Sequence, residues 1–350
     1  MREVKFRYDL LNRHEIKIGQ LDYATEGRIT FNSQAEIKRT CSLDFRENES
    51  KEIDFLNDRI KPYFMLKMPN GDWLEYPLGI FLISTPKKIK KGNYFYRDAE
   101  GYDSTMTLKE DKFTTRYIIY KGQNYVKAII DIINTAGIWK INIPSSELTT
   151  EMDKEFEIGT SKLEAINSLL KEVNYTSIWV DNNGALTSAT YQVPTIRKAE
   201  YVYRNDDLSV ILSDNSSEEL DLFNVPNVWV ITASNPEKEP LVSRYTNDAK
   251  DSITSTVNRS RNIVHFESVN DIADQNTLDD YVRRVAYNTS DIYSEFNFQT
   301  ALMPHHSFMD CLFIHHDKFG ITSKYVETNW EMDLKLGGTM SHTCRKVIQI

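Results

Sequence analysis

The sequence predicts a mainly β chain with a small α/β unit set into it, and three observations carry that prediction. Apolar residues alternate with polar ones over the first hundred positions and again beyond about residue 195. Between these regions the apolar period changes to that of a helix. With 350 residues, 40% apolar and 11% aromatic, the chain is long enough for two or three separate cores, and its 13 Gly and 10 Pro are too few for a disordered one.

The elements follow in order. "GRITFNSQAEIKRTCSLDF" alternates over Ile29 and Phe31, then over Ile37, Cys41, Leu43 and Phe45, with a polar Asn-Ser-Gln turn between. "PYFMLKMPNGDWLEYPLGIFLIS" predicts a hairpin in which Pro69-Asn70-Gly71 supplies the positive-φ turn. The basic run "KKIKKG", Lys87 to Gly92, lacks interleaved aromatics and lies between two strands, so it reads as a solvated hairpin loop rather than a nucleic-acid patch. "GNYFYRDAEGYD" supplies the next strand.

In "NYVKAIIDIINTAG" the residues Val126, Ile129, Ile130, Ile133 and Ala136 follow helical spacing and Gly137 is a natural stop. A second helix opens at Ser161-Lys-Leu-Glu164, a capping box: Ser accepts from the third backbone N–H and Glu reaches back to the first. Its apolar face is Leu163, Ile166, Leu169 and Leu170. The hairpin "YTSIWVDNNGALTSATY" turns at Asn182-Asn183-Gly184 and closes an α/β unit over residues 113–192.

Beyond it, "EYVYRNDDLSVILSDNSSEELDLFN" is polar and reads as part loop, "PNVWVITAS" is a strand, and "NPEKEP" an exposed connection. A helix near 277–287 carries Leu278, Tyr281, Val282 and Val285 on one face. Four strand-like segments end the chain: "DIYSEFNFQTAL", "MDCLFIHH", "SKYVETNWEMDL" and "SHTCRKVIQI".

Charge and leader signals narrow the function classes. A net charge of −9 disfavours tight binding to nucleic-acid phosphates or anionic lipid, while permitting a surface past which DNA slides without sticking. The N-terminus is interrupted by charges every few positions, so no signal peptide is expected, and apolar runs such as "LGIFLI" are strand-length. Three cysteines, Cys41, Cys311 and Cys344, suit a reducing cytoplasm as small buried hydrophobes. In that setting the N-x-S/T sequons are incidental.

The stretch "MPHHSFMDCLFIHH" is the best candidate for chemistry, with four of the seven histidines. Convergent ligands on a strand need His-x-His spacing, because side chains alternate faces. His305-His306 and His315-His316 are adjacent pairs, so at most one of each can face a common site. The apolar middle, Cys311 to Ile314, reads as a buried strand whose polar ends emerge at the surface, and no metal ligand, cofactor or catalytic residue is assigned. No Gly-rich phosphate loop, HExxH, CxxC or G-x-S-x-G occurs. Asp279 with Arg283 and Asp280 with Arg284 have the spacing of surface ion pairs. The five tryptophans, Trp73, Trp139, Trp179, Trp229 and Trp330, are scattered and expected to pack in cores or interfaces.

Several segments together resemble the baseplate or tail hub proteins of long-tailed bacteriophages and related tail-like particles: the hub of contractile tails and the N-terminal part of siphophage tail-associated proteins. The resemblance lies in "EIKRTCSLDF", "LNDRIKPYFML", "YPLGIFLIS", "DKFTTRYIIYKGQNY", the helix-then-hairpin "GTSKLEAINSLLKEVNYTSIWVDNNGAL", "FNVPNVWVITAS", "LDDYVRRVAYNTS" and the C-terminal strands. Pro304, Asp310 and the alternating strand after them are its recurring piece. It departs from the pattern at one place, since many hubs have Gly-Asp where this chain has Met309-Asp310.

The resemblance implies two small β-barrels with an inserted α/β domain, and three subunits forming a ring. The implied domains are 1–112 (completed by 193–225 as one option), 113–192 and 226–350. The implied role is structural and not enzymatic: a homotrimer in the virion tail tip, made in the host cytoplasm. Its expected partners are the tail tube or distal tail protein, the tape-measure protein and tip or fibre proteins, with DNA only in transit and no membrane insertion. Two other readings stand beside it. One is a tail-associated cell-wall hydrolase or metallopeptidase using His305, His306, His315 and His316. The other is a host-glycan-binding module.

Overall fold

The computed structural model describes residues 3–21, 23–47, 53–206, 211–221, 223–233, 239–269, 272 and 274–350, and the structural statements below concern those residues. Of the exposed connection expected at 235–240, residues 235–238 lie outside them.

The N-terminal region is all strand: β1 (Val4–Leu11), β2 (Lys17–Gln20), β3 (Ala24–Asn32), β4 (Arg39–Arg46), β5 (Arg59–Lys67), β6 (Trp73–Pro77), β7 (Phe81–Lys91) and β8 (Tyr94–Tyr102). The inserted region holds α1 (Thr105–Glu110), β9 (Tyr117–Ile119), α2 (Tyr125–Thr135), β10 (Ile141–Asn142), β11 (Lys154–Phe156), α3 (Lys162–Glu172), β12 (Trp179–Val180) and β13 (Leu186–Thr187). Then come β14 (Tyr201–Arg204), β15 (Ile211–Leu220), β16 (Val228–Ala233), β17 (Leu241–Thr246), α4 (Thr256–Arg259), β18 (Val264–Val269) and α5 (Gln275–Ser290). The chain ends with β19 (Ser294–Ala301), β20 (Cys311–His316), β21 (Ile321–Asp333) and β22 (Thr339–Lys346). No helix among the described residues is long and apolar enough to cross a membrane.

Local chemistry explains most elements. The β5–β6 turn is made at Gly71, whose φ of 92° a side chain would resist. On β4 the alternation is realised in full, with Cys41, Leu43 and Phe45 buried and their neighbours not. Ser161 caps α3 by accepting from Glu164 N, as the capping box predicts, and Asn124 caps α2 in the same way through Lys127 N. Ile129, Ile132 and Ile133 of α2 pack against Leu163, Ile166 and Leu170 of α3 in a core of their own. Fully burying each such side chain stabilises by roughly 1.5–3 kcal/mol.

A second layer is formed by α5 on the three-stranded sheet β17-β16-β18, with Leu278, Tyr281 and Val282 closing over Trp229 and Ile231. The inserted unit has two small sheets, β10-β13-β12 and β11-β9, and the other strands form a 14-stranded sheet in the order β15-β19-β22-β21-β3-β4-β8-β7-β5-β1-β2, with β20 pairing β21, β14 pairing β20 and β6 pairing β5. It wraps two cores. Tyr8, Ile29, Phe31, Leu43, Phe45, Phe64 and Phe81 fill the first; Tyr203, Phe296, Phe298, Leu312, Ile314 and Tyr325 fill the second.

The pivotal strand is β21. One edge pairs with β22 over Tyr325–Met332, while the other pairs with β20 over Ile321–Val326 and then with β3 over Asn329–Asp333. Its first half thus faces the second core through Tyr325, and its second half the first core through Trp330 and Met332.

The structure corrects several expectations. The paired strands trace one continuous sheet, in which β21 exchanges β20 for β3 along one edge. Within 193–225, β14 pairs with β20 and β15 with β19. The same pairings make strands where a polar, partly looped segment was expected. Lys87 to Lys91 continue β7, with the turn at Gly92 and Asn93, and cross-strand pairing sets Lys88 over the Phe95 ring at 4.5 Å. The aromatics missing from the run itself come from the facing strand.

Candidate functional site

Where β21 passes from one core to the other, three fully buried ionisable side chains meet: His306, Glu327 and His342. Glu327 comes from β21, His342 from β22 and His306 from the segment before β20. His342 shares a sheet face with Met340 and Cys344, so its side chain stands among core residues. It lies flat on Phe298, with ring centroids 4.6 Å apart.

Glu327 reaches the same face through an irregularity. The β21–β22 register slips between Glu327 and Asn329, leaving Thr328 as an extra residue. Residues 325 to 328 are accordingly all buried, which a regular half-exposed strand does not show.

The carboxylate of Glu327 bridges the two imidazoles. His342 Nδ1 is 2.5 Å from Oε1 and His306 Nδ1 is 2.6 Å from Oε2. The second contact lacks hydrogen-bond alignment, so both of its atoms are buried without a hydrogen-bond partner. Asp310 Oδ2 lies 3.3 Å from His306 Nδ1 and accepts from Ser307 N. Each ring is anchored at its other nitrogen, His306 Nε2 by Tyr203 OH at 2.6 Å and His342 Nε2 by Thr300 Oγ1 at 2.8 Å.

Burial alone would lower the His306 pKa, but Glu327 and Asp310 beside it raise it to about 9. Burial alone would raise Glu327, yet the two histidines hold it down to about 2. His342 is lowered, because burial and the charge of His306 outweigh the pull of Glu327. With protons alone, the group is an imidazolium, a carboxylate and a neutral imidazole, with the Asp310 carboxylate alongside. It offers ligand atoms within 4.8 Å of one another on His306, Glu327 and His342.

The four clustered histidines do not converge. His306 joins this group, while the ring of His305 lies outside it, tilted beside Tyr201 at 4.3 Å and stacked on the outer side of His306 at 5.0 Å. His315 pairs with Thr322 Oγ1 and Asp317, and His316 packs against Phe296 and Phe319. The expectation that both polar ends of the strand emerge at the surface is corrected at His316, which is fully buried. Alternation sends His315 outward and therefore His316 into the second core.

Glu327 and His342 were missed in the sequence. In "SKYVETNWEMDL" the period-two signal marks Val326, Thr328, Trp330 and Met332 as the inner face and puts Glu327 outside. Only the extra residue at Thr328 reverses this, and no residue type announces it.

Other candidates take structural places. Cys41, Cys311 and Cys344 are free, buried thiols. The expected i,i+4 ion pairs are replaced: Asp280 meets Arg283, Asp279 accepts from Ser243 and Gln275, and Arg284 donates to the Tyr175 carbonyl at 2.6 Å. Trp229 and Trp330 are core residues, whereas Trp139 is 75% exposed.

At the level of sequence, no protein family and no curated relative matches the chain. Solved structures do. A tail protein from Neisseria meningitidis superposes with a TM-score of 0.67 at 10% identity, over 98% of this chain and 96% of that one. A prophage tail protein from Shewanella oneidensis gives 0.65 at 9% identity, over 97% and 98%. A prophage tail protein from Listeria monocytogenes gives 0.61 at 11%, over 97% and 94%. The type VI secretion component of Escherichia coli, described as similar to bacteriophage tail proteins, gives 0.50 at 8% identity over 99% and 77%. The chain has the fold of these tail proteins along nearly its whole length.

Proposed function

We propose that this chain is a structural hub protein at the distal end of a phage tail or phage-tail-like particle, joining the tail tube to the tip or fibres around a channel for DNA. The observation that carries the proposal is the end-to-end correspondence of folds: 98% of this chain against 96% of the Neisseria tail protein, and 97% against 98% of the Shewanella one. A graft of one common module onto another protein would match in part only. The net charge of −9 supports a lumen that repels phosphates and lets DNA pass.

In this proposal three copies close a ring, which covers exposed apolar residues such as Phe266 and Leu336. The first β unit ends near residue 112 and the inserted unit spans 113–192. The second β unit takes 226–350 together with β14 and β15, whose partners lie there. The tail tube or distal tail protein, the tape-measure protein and tip or fibre proteins are the partners, and the role is not enzymatic. The four-histidine hydrolase alternative loses its support, because His306 and the pair His315–His316 engage different partners.

Light scattering on the purified chain tests the proposal, together with binding to the tube and distal tail proteins encoded beside it. A trimer of 40.7 kDa subunits that captures either partner is expected. A monomer at high concentration that binds neither would overturn it.

A further inference from the structure

We propose that His306, His342, Glu327 and Asp310 form a site for one divalent transition-metal ion, zinc foremost, at the junction of the two β cores. The inference stands apart from the tail-hub role and rests on three features of the group.

The first is charge. Two carboxylates, Glu327 and Asp310, sit within 3.3 Å of His306 Nδ1 in a buried setting. Two buried carboxylates gathered at one imidazole are costly away from water unless a cation meets them. Arg39, another buried cation nearby, donates to the Leu78 carbonyl and lies over the Phe31 and Trp330 rings, and its charge is shared among Asp103, Asp181 and Asp310. A divalent ion with both imidazoles neutral brings the four side chains to a net charge of zero.

The second is the aim of the rings. Both histidines turn Nδ1 toward the same carboxylate, and both have Nε2 held by a hydroxyl, Tyr203 OH on one and Thr300 Oγ1 on the other. A metal-bound histidine needs this arrangement, because a partner at the second nitrogen fixes the tautomer and the ring plane. Two imidazoles and the Glu327 carboxylate offer ligand atoms within 4.8 Å of one another, a three-residue donor set that suits zinc with ligands about 2.0–2.2 Å from the ion, and Asp310 stands beside it.

The third is the contact between two ligand atoms. His306 Nδ1 and Glu327 Oε2 form a buried ion pair at 2.6 Å that lacks good hydrogen-bond alignment. An ion between them gives each a bond, at the cost of parting the carboxylate and the rings by roughly 1 Å. Asp310 is the most exposed of the four side chains, at 11%, and marks the solvent side of the group.

The site differs from the four-histidine cluster considered in the sequence. It takes only His306 from that cluster and draws His342 from a strand where no second histidine stands.

The test uses the full chain, with any purification tag removed. Elemental analysis should find about one zinc per chain. After chelation, cobalt(II) should restore one equivalent with the visible absorption of a four-coordinate ion. Glu327→Gln and His342→Asn should each weaken cobalt binding more than tenfold. Tyr203→Phe, which keeps the ring and removes only the anchor, should weaken it about tenfold. His315→Asn should leave it unchanged. Because the buried variants could fail to fold, the melting temperature of the unaltered chain is a second readout, expected to fall on chelation and recover with zinc. An unaltered chain that retains no metal, gives no cobalt spectrum and melts identically with and without chelator would overturn the proposal. So would binding that His315→Asn abolishes and Glu327→Gln does not.

Discussion

Glu327 and Trp330 stand three residues apart on β21 and face the same side of the sheet. On a regular strand an odd separation sends two side chains to opposite faces. Here Trp330 pairs with His342 and Glu327 with Cys344, two residues of β22 that share one face, and Thr328 is the residue left over. One added residue therefore decides that a carboxylate is buried beside two imidazoles and not set in solvent.

Deleting Thr328 should restore regular pairing and move Tyr325 and Glu327 out of the second core. A loss of more than about 4 kcal/mol is expected, since a one-residue slip exchanges the faces of the strand. Chemical unfolding of the deletion beside the unaltered chain measures it.

Met309 holds a φ of 52°, a left-handed conformation unfavourable for a side chain. The sequence resemblance points to glycine at this place, and the turn conformation gives the reason. Met309→Gly should gain about 0.5–1 kcal/mol, the strain relieved exceeding the burial lost. The denaturant midpoint should rise with an unchanged slope.

Asp291, at the C-terminal end of α5, is pushed up from its ordinary 3.8 to about 7, because burial outweighs the pull of Arg345 at 3.6 Å. A carboxyl raised on folding contributes stability fully present below about pH 4, and that contribution is lost as the pH climbs to about 7. Asp291→Asn should leave the melting temperature nearly unchanged at pH 4 and raise stability by about 2 kcal/mol at pH 8. Equal effects at both values would refute the assignment.

Arg284 ties α5 to the inserted unit by donating to the Tyr175 carbonyl and lying over Tyr191 at 5.2 Å. Arg284→Ala should cost about 2 kcal/mol. It should speed amide exchange in the segment from Tyr175 to Tyr191 before other regions change.

The features visible in the sequence are those written in short-range chemistry. Gly71 marks its turn, Ser161 with Glu164 marks the start of α3, and the spacing of Leu278, Tyr281, Val282 and Val285 marks α5. The buried polar group depends on partners far apart in the chain and on a register slip that alternation cannot encode. His306 and His342 are separated by most of the C-terminal strands, and Glu327 looked solvent-facing. The histidine doublets drew attention to the right segment while hiding that their members part company. Arg284 was misjudged for a similar reason: helical spacing offered Asp280 as its partner, and tertiary packing supplied a backbone carbonyl of the inserted unit.

A strand common to two cores behaves as a splint. Tension applied to the first β unit reaches the second through the covalent backbone of β21 and through rows of hydrogen bonds to β20, β22 and β3. Pulling along that strand loads these bonds in shear, many at once, instead of unzipping them one after another. The two units should consequently yield to force together, as one mechanical body.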